Sequence, residues 1–171
     1  MTMTIWIDRR TLVTALSSAG MLTIVGCGQA KNADKSDSDP NAPPKGRLAA
    51  MTVYRDPSCG CCETWAEIAR QAGYQVALVE RPDMPAIKAK LGIPEALASC
   101  HTATVGGYAI EGHVFLEDVA RLLKDKPEGI RGIAVPGMPR GSPGMEMPDG
   151  SKDSFQVMAF DATGRTTVFK V

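Results

Sequence analysis

Cys59-Gly60-Cys61-Cys62 puts three thiols into four residues at the junction of two very different segments. Ahead of it, Ala49 to Tyr54 is a short apolar run ending in Arg55-Asp56-Pro57-Ser58, the pattern of a strand entering a turn. Behind it, Trp65, Ile68, Ala69 and Ala72 recur at helical spacing, and Gly73 closes the helix. A chain with this junction needs a fold in which a strand delivers a turn of cysteines onto a helix N-terminus. There the helix dipole and the unbonded N–H groups favour thiolate over thiol at Cys61 and Cys62.

The remaining periodicities predict an α/β domain. Tyr74 to Val79 reads as a second strand, and Met84, Ile87 and Leu91 mark one face of a helix that Gly92 caps. Thr102 to Val105 and Tyr108 to Ile110 flank Gly106-Gly107, a hairpin turn. Phe115 or Leu116, Val119, Leu122 and Leu123 mark a third helix, whose solvated face is the charged stretch Arg121 to Glu128. Trp65 is expected in the core of the first helix. Phe155 to Phe160 and Thr166 to Val171 bracket Asp161-Ala162-Thr163-Gly164, a second hairpin, and Gly129 to Gly150 reads as a long ordered loop rich in Gly, Pro and Met. The order β-α-β-α-β-β-α, with a Cys motif after the first strand, is that of a thioredoxin-like domain, here extended by a C-terminal β-hairpin.

Residues 1–27 read as an export address. Arg9 and Arg10 precede an uncharged stretch, Thr11 to Gly26, that is too short to cross a hydrocarbon core of ~30 Å. Ile24-Val25-Gly26-Cys27 resembles the lipobox of bacterial lipoproteins, which makes Cys27 the expected lipidation site. Gly28 after it favours the outer membrane, facing the periplasm. The Arg pair with Thr11-Leu12 also resembles a twin-arginine export signal, although Asp8 stands where Ser or Thr is usual. An uncleaved membrane anchor is the alternative. Residues 28–48 are polar, mixed in charge and proline-rich, so they read as a flexible tether, with 49–171 as the folded domain. The lipid is the expected membrane contact. Nucleic acid is excluded as a partner by charge: 19 Lys and Arg balance 19 Asp and Glu, leaving no basic excess for phosphates.

Sulfur dominates the reactive side chains, with five Cys and nine Met beside two His. A thiolate is both the nucleophile of disulfide exchange and a ligand of soft metals, and Cu(I) is the first-row ion that most rewards sulfur. Cys59 and Cys62, at C-x-x-C spacing, are the candidate catalytic pair of a dithiol switch. Cys61 adds little to such a switch but supplies a bridging ligand to a metal cluster, whereas a purely structural disulfide leaves one thiol unexplained. Ser99-Cys100-His101-Thr102 brings a fourth thiol to the start of the third strand, from which Cys100 can reach the motif. His101 points toward or away from Cys100 along an extended strand, and His113 reads as a ligand, a supporting group or an edge residue. Met138, Met145 and Met147 lie where Gly and Pro forbid a helix, as candidate thioether ligands on an entry path or as packing for the loop.

Four segments in order resemble one family. They are Tyr54-Arg55-Asp56-Pro57-Ser58-Cys59-Gly60-Cys61-Cys62; Ser99-Cys100-His101-Thr102-Ala103; Gly107-Tyr108-Ala109-Ile110-Glu111-Gly112-His113-Val114; and Val135-Pro136-Gly137-Met138-Pro139 with Gly141-Ser142-Pro143-Gly144-Met145-Glu146. The family is a bacterial domain-of-unknown-function family that is found with copper-resistance genes and includes the CopG-type periplasmic copper proteins. The resemblance covers about residues 50–170. Phe115 departs from it, standing where the family usually has Pro. The resemblance implies a thioredoxin-like fold, a thiolate-bridged multinuclear copper cluster on Cys59, Cys61, Cys62 and Cys100 with His101 and His113 nearby, and copper oxidoreduction as the activity. The expectation is a lipid-anchored copper-resistance protein that holds Cu(I), cycles between Cu(I) and Cu(II), and meets an unidentified periplasmic electron or copper-transfer partner. A copper chaperone or buffer without turnover, and a thiol–disulfide oxidoreductase using Cys59 and Cys62, are the alternatives. Zinc tolerates the same thiolates; the excess of thioether tilts the choice to copper.

Overall fold

A computed structural model describes residues 48–169. The segment expected as an export address, 1–27 with Cys27, the expected tether up to residue 47, and residues 170 and 171 lie outside the described residues. The described chain builds one mixed α/β layer structure. Its elements are β1 (Ala50–Arg55), α1 (Gly60–Gln71), β2 (Gln75–Glu80), α2 (Met84–Leu91), a single 3-10 turn (Glu95–Leu97), β3 (His101–Val105), β4 (Tyr108–Glu111), α3 (Leu116–Asp125), β5 (Ile130–Ala134), β6 (Met158–Asp161) and β7 (Thr166–Val168). The seven strands form one sheet in the order β2-β1-β3-β4-β5-β6-β7. The expected order β-α-β-α-β-β-α is the order observed up to α3.

Connection lengths explain the pairings. β1 and β2 run parallel, which needs a crossover, and α1 supplies it. β3 runs antiparallel to β1 with His101 opposite Arg55, and β3 turns into β4 through Gly106 and Gly107, both at positive φ (57° and 86°) as a tight hairpin requires. β4 and β5 are parallel, joined across α3. The second hairpin, β6–β7, turns on Asp161, whose Oδ1 accepts from the Thr163 and Arg165 main-chain N–H groups at 2.8 and 3.1 Å.

The stretch expected as a loop from Gly129 to Gly150 is corrected: its first part is β5, buried at Gly132, Ile133 and Ala134. A strand covered on both faces shows no alternation, and Gly129 and Pro136 on either side of it read as loop. The irregular segment therefore runs from Val135 to Val157. The last hairpin is also shorter than expected, with β6 starting at Met158 and β7 ending at Val168 among the described residues.

The sheet separates two apolar clusters. On one side Trp65, Ala66 and Ala69 of α1 and Leu116, Val119 and Leu122 of α3 pack on Val53, Ala103, Ile110 and Ile133. The other holds Ile93, Leu97, Ala109, Ala134 and Phe160. Lys88 of α2 reaches Thr102 and Glu111, cross-strand partners that share a face. The first cluster fixes α1, and with it the cysteine turn.

Two glycines should respond in opposite ways. A Cβ at Gly132 would run into the Ala109 carbonyl and lie 2.6 Å from Phe160 Cζ. Gly132→Ala should therefore cost about 1–3 kcal/mol by overpacking. Gly60 is the first residue of α1, and a Cβ there meets nothing within 4 Å. Gly60→Ala should be neutral or stabilising by up to about 1 kcal/mol. Urea unfolding of both variants measures the two signs.

Candidate metal centre

The cysteine turn is built from the end of β1. Cys59 is the N-cap residue of α1, with extended backbone (φ −84°, ψ 95°) and no side-chain capping bond; a thiol stands where a hydroxyl or carboxylate is usual. Asp56 shapes the preceding turn: its Oδ1 accepts from Ser58 N at 2.8 Å, and its carbonyl accepts from Cys59 N at 3.0 Å. Arg55 fixes the turn from below. Its Nη1 donates to the carbonyls of Pro57 and Cys59 at 3.2 and 3.0 Å, while Nη2 pairs with Glu80 Oε1 at 2.8 Å.

Cys59 and Cys62 are joined as a disulfide, with Cα atoms 5.5 Å apart, and Cys61 and Cys100 are free. Cys100 sits just before β3, and the antiparallel pairing of β3 with β1 brings it to the turn. Cys61 Sγ lies 3.6 Å from Cys59 Sγ and 3.9 Å from Cys100 Sγ, and all four sulfurs fall within 4.8 Å of one another. The separation in sequence between Cys100 and the motif is closed in space.

Two imidazoles complete the group. Cys100 Sγ is 3.3 Å from His101 Nδ1 and 3.1 Å from His113 Nε2, so His101 points toward Cys100. His113 Nδ1 donates to the Pro143 carbonyl at 2.8 Å, which leaves the Nε2 lone pair facing the sulfur. His101 is fully buried between Trp65 (ring centroids 4.8 Å) and His113 (4.9 Å, edge-on), and its Nε2 has no hydrogen-bond partner. Trp65 is core, as expected, and its Nε1 donates to the Val114 carbonyl at 2.9 Å. Burial, reinforced by His113 and Lys88, holds His101 well below the ordinary histidine range; burial also lowers His113, against the pull of its Pro143 bond and Glu146. Both rings are therefore neutral near pH 7. Burial first, then Cys61, pushes the Cys100 thiol up to about 12. A cation beside that sulfur would displace its proton. Thiols and neutral imidazoles, with His101 Nδ1 and His113 Nε2 both turned to Cys100 Sγ, fit a soft metal ion.

The Gly/Pro/Met loop is placed unevenly. Gly144, at φ 81°, lies against the first turn of α1: a Cβ on it would be 3.2 Å from Trp65 N and 3.5 Å from the Cys61 carbonyl. Met145 follows it, half-buried, and donates its N–H to Ser142 O at 2.8 Å. Met138 and Met147 face solvent, 54% and 37% exposed. Thiols and imidazoles are thus brought together, whereas these two thioethers stay on the surface.

Sequence reasoning missed two residues. One is Arg55, whose hold on the Cys59 carbonyl depends on burial that the turn pattern does not reveal. The other is Glu111, fully buried at the end of β4, with Lys88 Nζ 2.5 Å, Thr102 Oγ1 2.6 Å and Ser99 N 2.6 Å from its oxygens. The available signal was an acidic residue on the inward phase of a strand, opposite Thr102.

Residues 97–145 match the model of a protein family of unknown function, DUF411. Copper resistance protein CopG, solved in two forms, is similar to this chain. Form 1 is 41% identical with a TM-score of 0.65, covering 70% of this chain and 93% of its own. Form 2 is 39% identical with a TM-score of 0.67, covering 71% and 96%. The chain belongs to the DUF411 copper-resistance family. Membership, together with a cysteine cluster able to hold a metal ion, supports a copper-related function. No curated protein sequence matches the chain.

The histidines set a pH prediction for metal-free protein. Both have folded-state values below the ordinary 6.5, so the unfolded chain takes up protons that the folded site refuses. The stability they contribute is fully present above about pH 6.5 and is lost as pH falls through that value toward the lowered folded-state values. Denaturant midpoints from pH 8 to about pH 5 should fall in this window, and His113→Phe should flatten the fall.

Proposed function

We propose that this chain is an exported, lipid-anchored copper-resistance protein that holds Cu(I) on Cys59, Cys61, Cys62 and Cys100 when the Cys59–Cys62 bond is reduced. His113 and His101 are the nitrogen donors beside Cys100, and Met138, Met145 and Met147 serve the approach of the ion along the loop. The observation that carries the reading is the 3.9 Å approach of Cys100 Sγ to Cys61 Sγ, across which one soft ion can be shared. Bridging sulfurs let four thiolates serve several ions, so a multinuclear cluster on a thioredoxin-like frame is the form proposed. Copper is cargo or substrate on this reading, and Cu(I)/Cu(II) oxidoreduction is the activity assigned to it. The lipobox-like segment at Cys27 and the basic and apolar residues ahead of it support a location at the outer membrane facing the periplasm, where an electron or copper-transfer partner would meet the domain.

A second reading is favoured by one observation, the Cys59–Cys62 disulfide at the N-terminus of α1. It makes the chain a thiol–disulfide oxidoreductase in which Cys61 has no essential role. Protein purified anaerobically under reducing conditions and analysed for metal separates the two. The copper reading expects more copper ions than chains and loss of that excess in Cys61→Ser. A chain without copper, whose Cys59–Cys62 disulfide cycles unchanged in Cys61→Ser, overturns it. Zinc in place of copper would overturn the choice of metal.

A further inference from the structure

We propose that Glu111 is a positioning residue for Cys100 and His101: its buried carboxylate clamps the residues on either side of them. The proposal rests on reading Cys100 as a copper ligand. One carboxylate oxygen accepts from Ser99 N at 2.6 Å, immediately before Cys100, and the other accepts from Thr102 Oγ1 at 2.6 Å, immediately after His101. Lys88 of α2 closes the group, with Nζ 2.5 Å from Glu111 Oε1 and 3.0 Å from Thr102 Oγ1.

The clamp sits where the sheet no longer holds the chain. The β3–β4 ladder ends at the pair Thr102 and Glu111, and the Gly112 N–H adds one bond to the His101 carbonyl at 3.0 Å. Cys100 and Ser99 lie beyond it. Apart from Glu111, Ser99 is tied to the irregular loop: its hydroxyl donates to the Gly137 carbonyl, and Gly137 N donates to Ala98 O at 3.1 Å. Gly112 permits the approach, because a Cβ there would run into Ser99 and lie 2.6 Å from the Val135 carbonyl. Three donors converge from a main chain, a hydroxyl and an ammonium group. Two carboxylate oxygens satisfy all of them, whereas a neutral amide presents a donor of its own to at least one. The residues next to Cys100 are thus held from the face of the sheet opposite His101, whose cross-strand partner is Arg55. The sulfur is aimed by a group that does not touch it.

The test uses Glu111→Gln, Lys88→Met and Cys100→Ser in the full chain. Alkylation of Cys100 in metal-free protein is followed by peptide mass mapping, and Cu(I) affinity by competition with a chromophoric chelator. Glu111→Gln should speed Cys100 alkylation several-fold and weaken Cu(I) binding about tenfold or more, as loss of a supporting partner does. Lys88→Met should lower stability and speed Cys100 alkylation less than Glu111→Gln does, because both carboxylate oxygens stay in place beside Ser99 N and Thr102 Oγ1. Unchanged alkylation and Cu(I) affinity in Glu111→Gln, or equal effects in both variants, overturns the proposal. Should Glu111→Gln fail to fold, Thr102→Val removes one arm of the clamp; faster alkylation there supports the proposal, and an unchanged rate overturns it. Full copper binding by Cys100→Ser would overturn the ligand reading instead, while the metal-free alkylation arm still decides the clamp.

Discussion

The antiparallel register of β1 against β3 is the constraint on which the rest depends. It sets Arg55, the last residue of β1, opposite His101, the first of β3. The chain leaves β1 and enters β3 at the same end of the sheet, so the cysteine turn and Cys100 have to meet there. A slip of one residue would turn Met51, Val53 and Arg55 to the other face and take the Cys59 turn away from its anchor. The apolar cluster around Trp65 and Val53 opposes that slip, because it buries side chains on one phase of the strand. Core packing and site assembly are the same event on this face of the sheet.

Charge burial is the cost of the arrangement. Arg55 is 8% exposed and Glu111 fully buried, and each is held by partners from another element. Pairs on the surface, such as Arg81 with Asp83 or Arg140 with Asp153, are screened by solvent and contribute little. A buried pair differs: removing one partner of a group like Lys88 and Glu111 leaves an uncompensated charge, at about 3–5 kcal/mol. An apolar pair would fill the space at no such risk, but it could not bond the Ser99 amide or the Cys59 carbonyl. What these charges supply is fixed main chain beside two cysteines.

Much of this was legible in the residues. The junction of strand, thiols and helix is local, and the periodicities around Trp65, Met84 and Val119 name the helices without help from the fold. The meeting of Cys100 with the motif was expected from the thioredoxin-like order of elements, and it is realised by the pairing of β3 with β1 and not with its predecessor β2. β5 escaped because Ile130–Ala134 is short, has Gly132 at its centre and is covered on both faces from Gly132 to Ala134, which erases the alternation that marks a strand. Arg55 and Glu111 escaped for a different reason. Their partners Glu80 and Lys88 lie 25 and 23 residues away, and at the end of a strand a charge reads as the start of a turn. The environment of a charge is a tertiary property, and no local pattern carries it.

Cys100 is the point where the metal and thiol readings meet. It belongs to both donor groups, one with Cys59, Cys61 and Cys62 and the other with His101 and His113. With Cys59 and Cys62 joined, two sulfurs of the first group are withdrawn, and the second group is untouched. On the proposed function reduction returns them to the same cluster, and Cys100 is held independently of the disulfide, by β3 and the residues around it. On the proposed function a dithiol and a soft ion therefore compete for Cys59 and Cys62, while Cys61, Cys100 and the two rings stay available in both states. The same geometry explains why the C-x-x-C spacing alone does not decide the chemistry: the deciding atoms are the sulfur between the pair and the one that a strand brings back to it.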